Sequence, residues 1–136
     1  MICTNSDGGA RGNPGPAAIG VVIRDTEKIL EKYSEKLKGN LTNNVAEYRA
    51  LIKALELAKK YTKDELTCFL DSELVVKQML GEYSVNDKKL IPLFLTVQKL
   101  QENFNKINYK HVPRSDKFQK IADYILNQEL DKSNKS

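Results

Sequence analysis

The order of apolar and polar positions divides the chain into strands first and helices after. Residues 2–6 form a short apolar run, residues 17–24 are apolar almost throughout, and residues 29–37 alternate as a half-exposed strand does. Between the first two runs lies a Gly- and Pro-rich stretch from Gly8 to Pro16, which predicts a loop that allows close backbone approach. From residue 44 to about 61, Ala46, Ala50, Leu51, Ala54, Leu55 and Ala58 recur at three- and four-residue intervals. That period predicts an amphipathic helix, started by Thr42-Asn43-Asn44. Residues 66–70 read as a buried strand, after which Ser72 caps a short helix that Gly81 ends. Residues 87–103 are expected to be helical with Pro92 in the first turn, and residues 107–112 form a last strand. A last helix over 117–130 would turn Phe118, Ile121, Ala122, Ile125 and Leu126 inward. The pattern predicts an α/β protein: an antiparallel meander extended by parallel strands and flanked by helices. We expect one domain over residues 1–131 and a polar tail over 132–136.

Composition narrows the classes. A chain of 136 residues buries a core without disulfides, and Cys3 and Cys68 fall in apolar runs, at a spacing that fits neither a zinc site nor a disulfide framework. No run of 18 apolar residues and no leader-like segment occurs, so the expectation is a cytoplasmic protein with no membrane contact. The net charge of +4 and pI near 9.0 permit a polyanionic partner. Lys106, Lys110, Arg114, Lys117 and Lys120 gather locally with only Asp116 opposing them, which fits a phosphate-contacting patch or a solvated face. His111 is the sole histidine, so a serine or cysteine triad has no second base. Tyr48, Tyr83, Tyr109 and Tyr124 are too scattered for a stacking platform and read as half-buried packing residues.

Four carboxylates change the picture more. Asp7 closes the first strand, Glu47 lies near the start of the long helix, Asp71 ends the strand at 66–70, and Asp123 lies in the last helix. Singly each has a plain explanation. Glu47 three residues after Asn44 suits a capping box, Asp71 suits a helix start, Asp7 before two glycines suits a turn, and Asp123 suits a helix surface. Converged, they could not all stay charged unaided: two unit charges about 4 Å apart repel by roughly 4 kcal/mol at an effective dielectric of about 20. An all-oxygen set selects hard ions such as magnesium or manganese, and a pair of such ions suits phosphoryl chemistry.

Taken together, residues 7–16 (DGGARGNPGP), residues 42–47 (TNNVAE), Leu70-Asp71-Ser72 and Ala122-Asp123 resemble type 1 ribonuclease H, in the family's order and across nearly the whole chain. The resemblance implies a ribonuclease H-like fold, a five-stranded mixed sheet of order 3-2-1-4-5. It implies endonucleolytic cleavage of RNA within RNA–DNA hybrids by a monomeric domain, with double-stranded RNA an open second substrate. Asp7, Glu47, Asp71 and Asp123 would hold two Mg2+ ions, or Mn2+, and cleavage would leave 5′-phosphate and 3′-hydroxyl ends. The backbone of Gly8, Arg11, Gly12 and Asn13 would approach the hybrid's minor groove, and Asn43, Asn44 and Ser72 would touch bases, sugars or phosphates.

The sequence departs from the family in three places. Residues 81–86 lead straight to the next helix, as in compact members lacking the basic protrusion. Arg114 stands nearest the place where many members carry a product-release histidine, while His111 belongs to the preceding strand. Glu73 follows Ser72 where a hybrid-contacting amide is common, and its charge opposes a nearby phosphate. Two rival readings are a non-catalytic hybrid- or double-stranded-RNA-binding module of the same fold and a 3′–5′ exonuclease. The four retained carboxylates oppose the first, and the loop at residues 8–16 opposes the second.

Overall fold

The computed structural model describes residues 1–133. Its elements are β1 (Ile2–Ala10), β2 (Gly15–Arg24), β3 (Ile29–Leu41), α1 (Asn43–Ala58), β4 (Glu65–Leu70), α2 (Glu73–Met79), α3 (Ile91–Leu100), β5 (Lys106–His111) and α4 (Lys117–Ser133). They form one five-stranded sheet in the order β3-β2-β1-β4-β5, antiparallel from β3 to β1 and parallel from β1 to β5.

Strand alternation gives the sheet two different faces. On one, Val21, Ile23, Leu66, Cys68 and Leu70 meet Val45, Tyr48, Leu51, Ala54 and Leu55 of α1 in the main core, which Val75, Val76 and Val97 extend. On the other, α4 lies across β2, β1 and β3, and the apolar cluster is small: Ala18, Leu126 and Leu130. The rest of that interface is polar. Arg24, Asn5 and Gln119 are all buried there, with the Arg24 guanidinium over the rings of Phe69 and Phe118.

Two glycines set how closely the helices approach. A Cβ on Gly8 would collide with the Ala46 carbonyl of α1, and a Cβ on Gly20 with the Ala122 carbonyl of α4. Gly8 is on β1 and Gly20 is the β2 partner of Asp7, so both helices seat beside Asp7 from opposite faces.

Several expected boundaries move. β1 runs past Asp7 to Ala10 and β2 begins at Gly15, because Gly8, Gly9 and Ala10 pair with Ile19, Ala18 and Ala17 and the loop shrinks to a hairpin tip. β3 continues to Leu41. α3 begins at Ile91, after a turn in which Leu90 and Ile91 N–H groups donate to the Asp87 carbonyl; Pro92 is in its first turn. The inner face of α4 is Gln119, Ala122, Leu126 and Leu130, with Phe118, Ile121 and Ile125 only half-buried. The expected polar tail is helical to Ser133, and residues 134–136 lie outside the described residues. Of the four tyrosines taken as half-buried, Tyr48 and Tyr109 are buried, with hydroxyls on Gln78 and Gln101, while Tyr83 and Tyr124 are exposed.

Candidate active site

Parallel pairing sets Ser6 beside Leu70, so Asp7, within β1, and Asp71, just past the end of β4, stand side by side on the two central strands. Glu47 reaches them from the first turns of α1. A capping box beginning at Asn44 would have occupied its carboxylate, but the N-cap is Thr42, whose Oγ1 accepts from Val45 N–H at 3.2 Å. Glu47 is thereby free to face the strands. Carboxylate oxygens of Asp7, Glu47 and Asp71 all lie within 4.8 Å of one another. Asp123 lies outside this group of three and stands beside it on α4, where its carboxyl interacts with that of Asp7.

The electrostatics follow from this crowding. Burial, then the charges of Asp71, Asp123 and Glu47, push the Asp7 carboxyl up to about 9. Burial raises Glu47 to about 7, with a hydrogen bond from Ser72 and the charge of Arg114 pulling the other way and Asp71 adding to the rise. Such a set is poorly tolerated as bare anions. It fits a hard divalent cation: all donors are oxygens, no Cys or His approaches the cluster among the described residues, and the neutralising positive charge within reach is slight. Arg114 supplies what there is, its Nε standing 3.6 Å from Asp71 Oδ2 with the side chain 83% exposed. His111 points elsewhere, ending β5 next to Glu73 of α2.

Supporting residues absent from the sequence expectations hold these carboxylates. Gln119 Nε2 donates to Asp71 Oδ1 at 3.3 Å and to the Ser6 carbonyl at 2.8 Å. Asn127 Nδ2 donates to Asp123 Oδ1 at 3.2 Å, while its own Oδ1 accepts from Arg11 at 3.3 Å. Gln119, Asp123, Asn127 and Asp131 recur every four residues, a polar stripe along one face of α4 that the apolar periodicity had obscured.

The expected hybrid-contacting residues divide into two groups. Arg11, Gly12, Asn13, Asn43 and Asn44 form an exposed rim at the hairpin tip and the α1 N-terminus. Asn43 Oδ1 accepts from Ala10 N–H at 2.8 Å and Asn13 Oδ1 from Asn43 N–H at 3.0 Å, which ties tip to helix; Gly12 takes a left-handed φ of 92° that favours glycine. The Arg11 side chain turns away to Asp131, at 2.6 Å. Gly8 and Ser72 are buried instead: Gly8 seats α1, and Ser72 Oγ caps α2 by accepting from Val75 N–H at 3.2 Å and bonds Glu47. Glu73 leans along α2 to Lys77, 2.8 Å away, so its charge is paired. Asp116, the acid beside the lysine cluster, caps α4 by accepting from Phe118 and Gln119 N–H at 3.1 Å each. Lys106, Lys110, Arg114, Lys117 and Lys120 are all exposed. No helix intervenes between α2 and α3, so the basic protrusion is absent among the described residues.

Sheet order, flanking helices and a carboxylate cluster over the central strands define a ribonuclease H-like protein. Residues 5–127 match the family model described as "Reverse transcriptase-like". The chain is 41% identical over 132 residues to the bifunctional protein Rv2228c of Mycobacterium tuberculosis, covering 96% of this chain and 35% of that protein. It thus spans about a third of the length of that curated relative. The crystal structure of RNase H1 from Halobacterium salinarum superposes with a TM-score of 0.89 at 37% identity, covering 96% of this chain and 98% of that one. LC11-RNase H1 in complex with an RNA/DNA hybrid gives 0.89 at 39% identity, covering 98% and 99%. The chain belongs to the type 1 ribonuclease H family, a family of hydrolytic nucleases. No helix among the described residues is long and apolar enough to cross a membrane.

Proposed function

We propose that this protein is an endoribonuclease that cuts the RNA strand of RNA–DNA hybrids. The observation that carries the reading is the convergence of Asp7, Glu47 and Asp71 oxygens within 4.8 Å, with Asp123 against Asp7, at the edge of an exposed polar rim. These four residues would hold Mg2+ or Mn2+, two ions per site. When bound, the ions would supply activation of the attacking water and charge stabilisation at the leaving 3′ oxygen, giving a 5′-phosphate product.

The chain's own groups do the rest. Gly12, Asn13, Asn43 and Asn44 present backbone and small amides to the minor groove, where 2′-hydroxyls distinguish RNA from DNA without regard to base sequence. Ser72 and α1 hold Glu47 in place. Arg114, largely in solvent and next to Asp71, assists departure of the cleaved phosphate end. Support for the hybrid as substrate comes from the relative solved with an RNA/DNA hybrid, which is alike over nearly the whole chain.

The test is cleavage of an internally labelled hybrid in magnesium, in manganese and in EDTA, with Asp7→Asn and Asp71→Asn as controls. Internal cuts that need metal and vanish in both variants are expected. Protected, uncut RNA in both metals would instead make this a binding module, and stepwise loss from one end would make it an exonuclease.

A further inference from the structure

Behind Asp71 runs an unbroken file of buried polar side chains. Arg24 Nε donates to Asn5 Oδ1 at 2.8 Å; Asn5 Nδ2 donates to Gln119 Oε1 at 3.1 Å; Gln119 Nε2 donates to Asp71 Oδ1 at 3.3 Å. The residues come from β1, β2 and α4, separated by as many as 114 positions in the chain. Gln119 has no exposed surface, Asn5 none and Arg24 only 8%.

The direction of every bond in the file is set by its ends. A guanidinium only donates, so Asn5 must turn its oxygen to Arg24 and its nitrogen to Gln119. The Ser6 carbonyl only accepts, and it takes a second hydrogen from Gln119 Nε2 at 2.8 Å, so that amide cannot be reversed either. Donors therefore all point one way, from a buried cation to a carboxylate, and hydrogen bonds aligned in this manner strengthen one another. Each link is also held mechanically. The guanidinium lies over the rings of Phe69 and Phe118, with its carbon 5.2 and 4.1 Å from the ring centres, and Asp116 caps the first turn of α4 by accepting from Gln119's own backbone N–H. Burying a cation and two amides under a helix is unfavourable unless they are satisfied, and apolar side chains would close this interface more simply.

We propose that Gln119 is a positioning residue, oriented and polarised by Arg24 through Asn5, that fixes the Asp71 carboxylate in the rotamer needed to bind a divalent cation. The inference rests on the reading of Asp7, Glu47, Asp71 and Asp123 as ligands. Outer groups that orient metal ligands typically change affinity by about 10–100-fold when removed. Gln119 touches neither a hybrid nor the reacting atoms; it acts through Asp71.

Manganese affinity by titration calorimetry tests it, beside cooperative thermal unfolding and hybrid-cleavage kinetics. Two variants break the file at different links. Gln119→Leu removes the amide, and Asn5→Asp keeps a partner for Arg24 while deleting the donor to Gln119. Both are expected to weaken Mn2+ binding by roughly ten-fold or more and to lower kcat with KM for the hybrid unchanged. In an Asp71→Asn background, Gln119→Leu is expected to cost no further Mn2+ affinity. Equal losses in both backgrounds would reduce Gln119 to a packing role and overturn the proposal, as would wild-type affinity in either folded single variant. Should both variants fail to unfold cooperatively, the unmutated protein decides: its Gln119 side-chain amide protons shift in NMR spectra on Mg2+ addition if the relay couples to the ion, and unmoved signals overturn it. Absence of Mn2+ binding by the unmutated protein would sink the ligand reading itself, a result distinct from any of these.

Discussion

The carbonyl of Ala46 rests directly on Gly8, with no room for a side chain between them. Because Glu47 is the next residue, this contact fixes how deeply that carboxylate descends toward Asp7. A methyl group at Gly8 must lift the start of α1, and overpacking of this kind costs about 1–3 kcal/mol. Gly8→Ala should lower the midpoint of thermal unfolding. Cleavage should fall further than stability, by roughly a hundred-fold, since small misplacements of reacting groups are that costly. Calorimetry and hybrid cleavage on the same preparation check both.

Crowding at the carboxylates gives a pH dependence of definite sign. Asp7 is raised from 3.8 to about 9 in the folded protein, so it favours folding only while protonated. Its contribution is full below about pH 4 and is lost as pH rises toward 9; Glu47, raised from 4.5 to about 7, adds to the loss over a narrower window. In EDTA the unfolding midpoint should therefore fall across this range from these two groups. Mg2+ should restore stability increasingly at higher pH, and Asp7→Asn should flatten the slope.

Metal binding near neutral pH should also expel protons, because burial and the neighbouring carboxylates raise Asp7 to about 9. Mn2+ titrations in two buffers of different ionisation enthalpy should give different apparent heats. Identical heats would mean the carboxylates are already ionised.

Arg114 stands 3.6 Å from Asp71 yet remains largely in solvent, an arrangement suited to an intermittent contact. Arg114→Ala should slow multiple turnover several-fold while leaving a single turnover nearly unchanged. His111→Ala, at the α2 side of β5, should alter neither. A slowed single turnover in the arginine variant would place Arg114 in the cleavage step instead.

At the far end of the α4 stripe, Arg11 and Asp131 pair at 2.6 Å with 40% and 60% of their side chains exposed. A pair so open to water contributes only about 0.2–1 kcal/mol, so Asp131→Asn should scarcely change stability or cleavage. Asn127→Ala should do more harm to metal affinity than to folding, since Asn127 holds the Asp123 carboxyl. Thermal unfolding and Mn2+ titration separate the two effects.

What the sequence disclosed tracks the physics of each signal. Apolar runs and periodicity located the strands and the longer helices, because burial of a face imposes them, and the Ser72 cap and Gly81 stop located α2. Ends were missed where the signal was ambiguous: glycines at 8 and 9 read as a turn, although they pair in β1, and at Gly8 the backbone of α1 leaves no room for a side chain. Thr42, Asn43 and Asn44 could each cap α1, and only the fold shows Thr42 doing so, which frees Glu47. Gln119 escaped notice because a buried amide in a helix looks like a surface residue until its partners, 48 and 114 positions away, are known. The four carboxylates and their convergence were legible from the order of their local contexts; in space Asp7, Glu47 and Asp71 gather within 4.8 Å and Asp123 stands against Asp7.

The sheet order has a consequence for the making of the protein. β1, synthesised early, lies at the centre and waits for β4, and the last carboxylate arrives only with α4. A nascent chain that has exposed Asp7, Glu47 and Asp71 still lacks Asp123 and the glutamine behind Asp71. The full set of carboxylates is therefore assembled only once α4 has been made and has docked on the sheet.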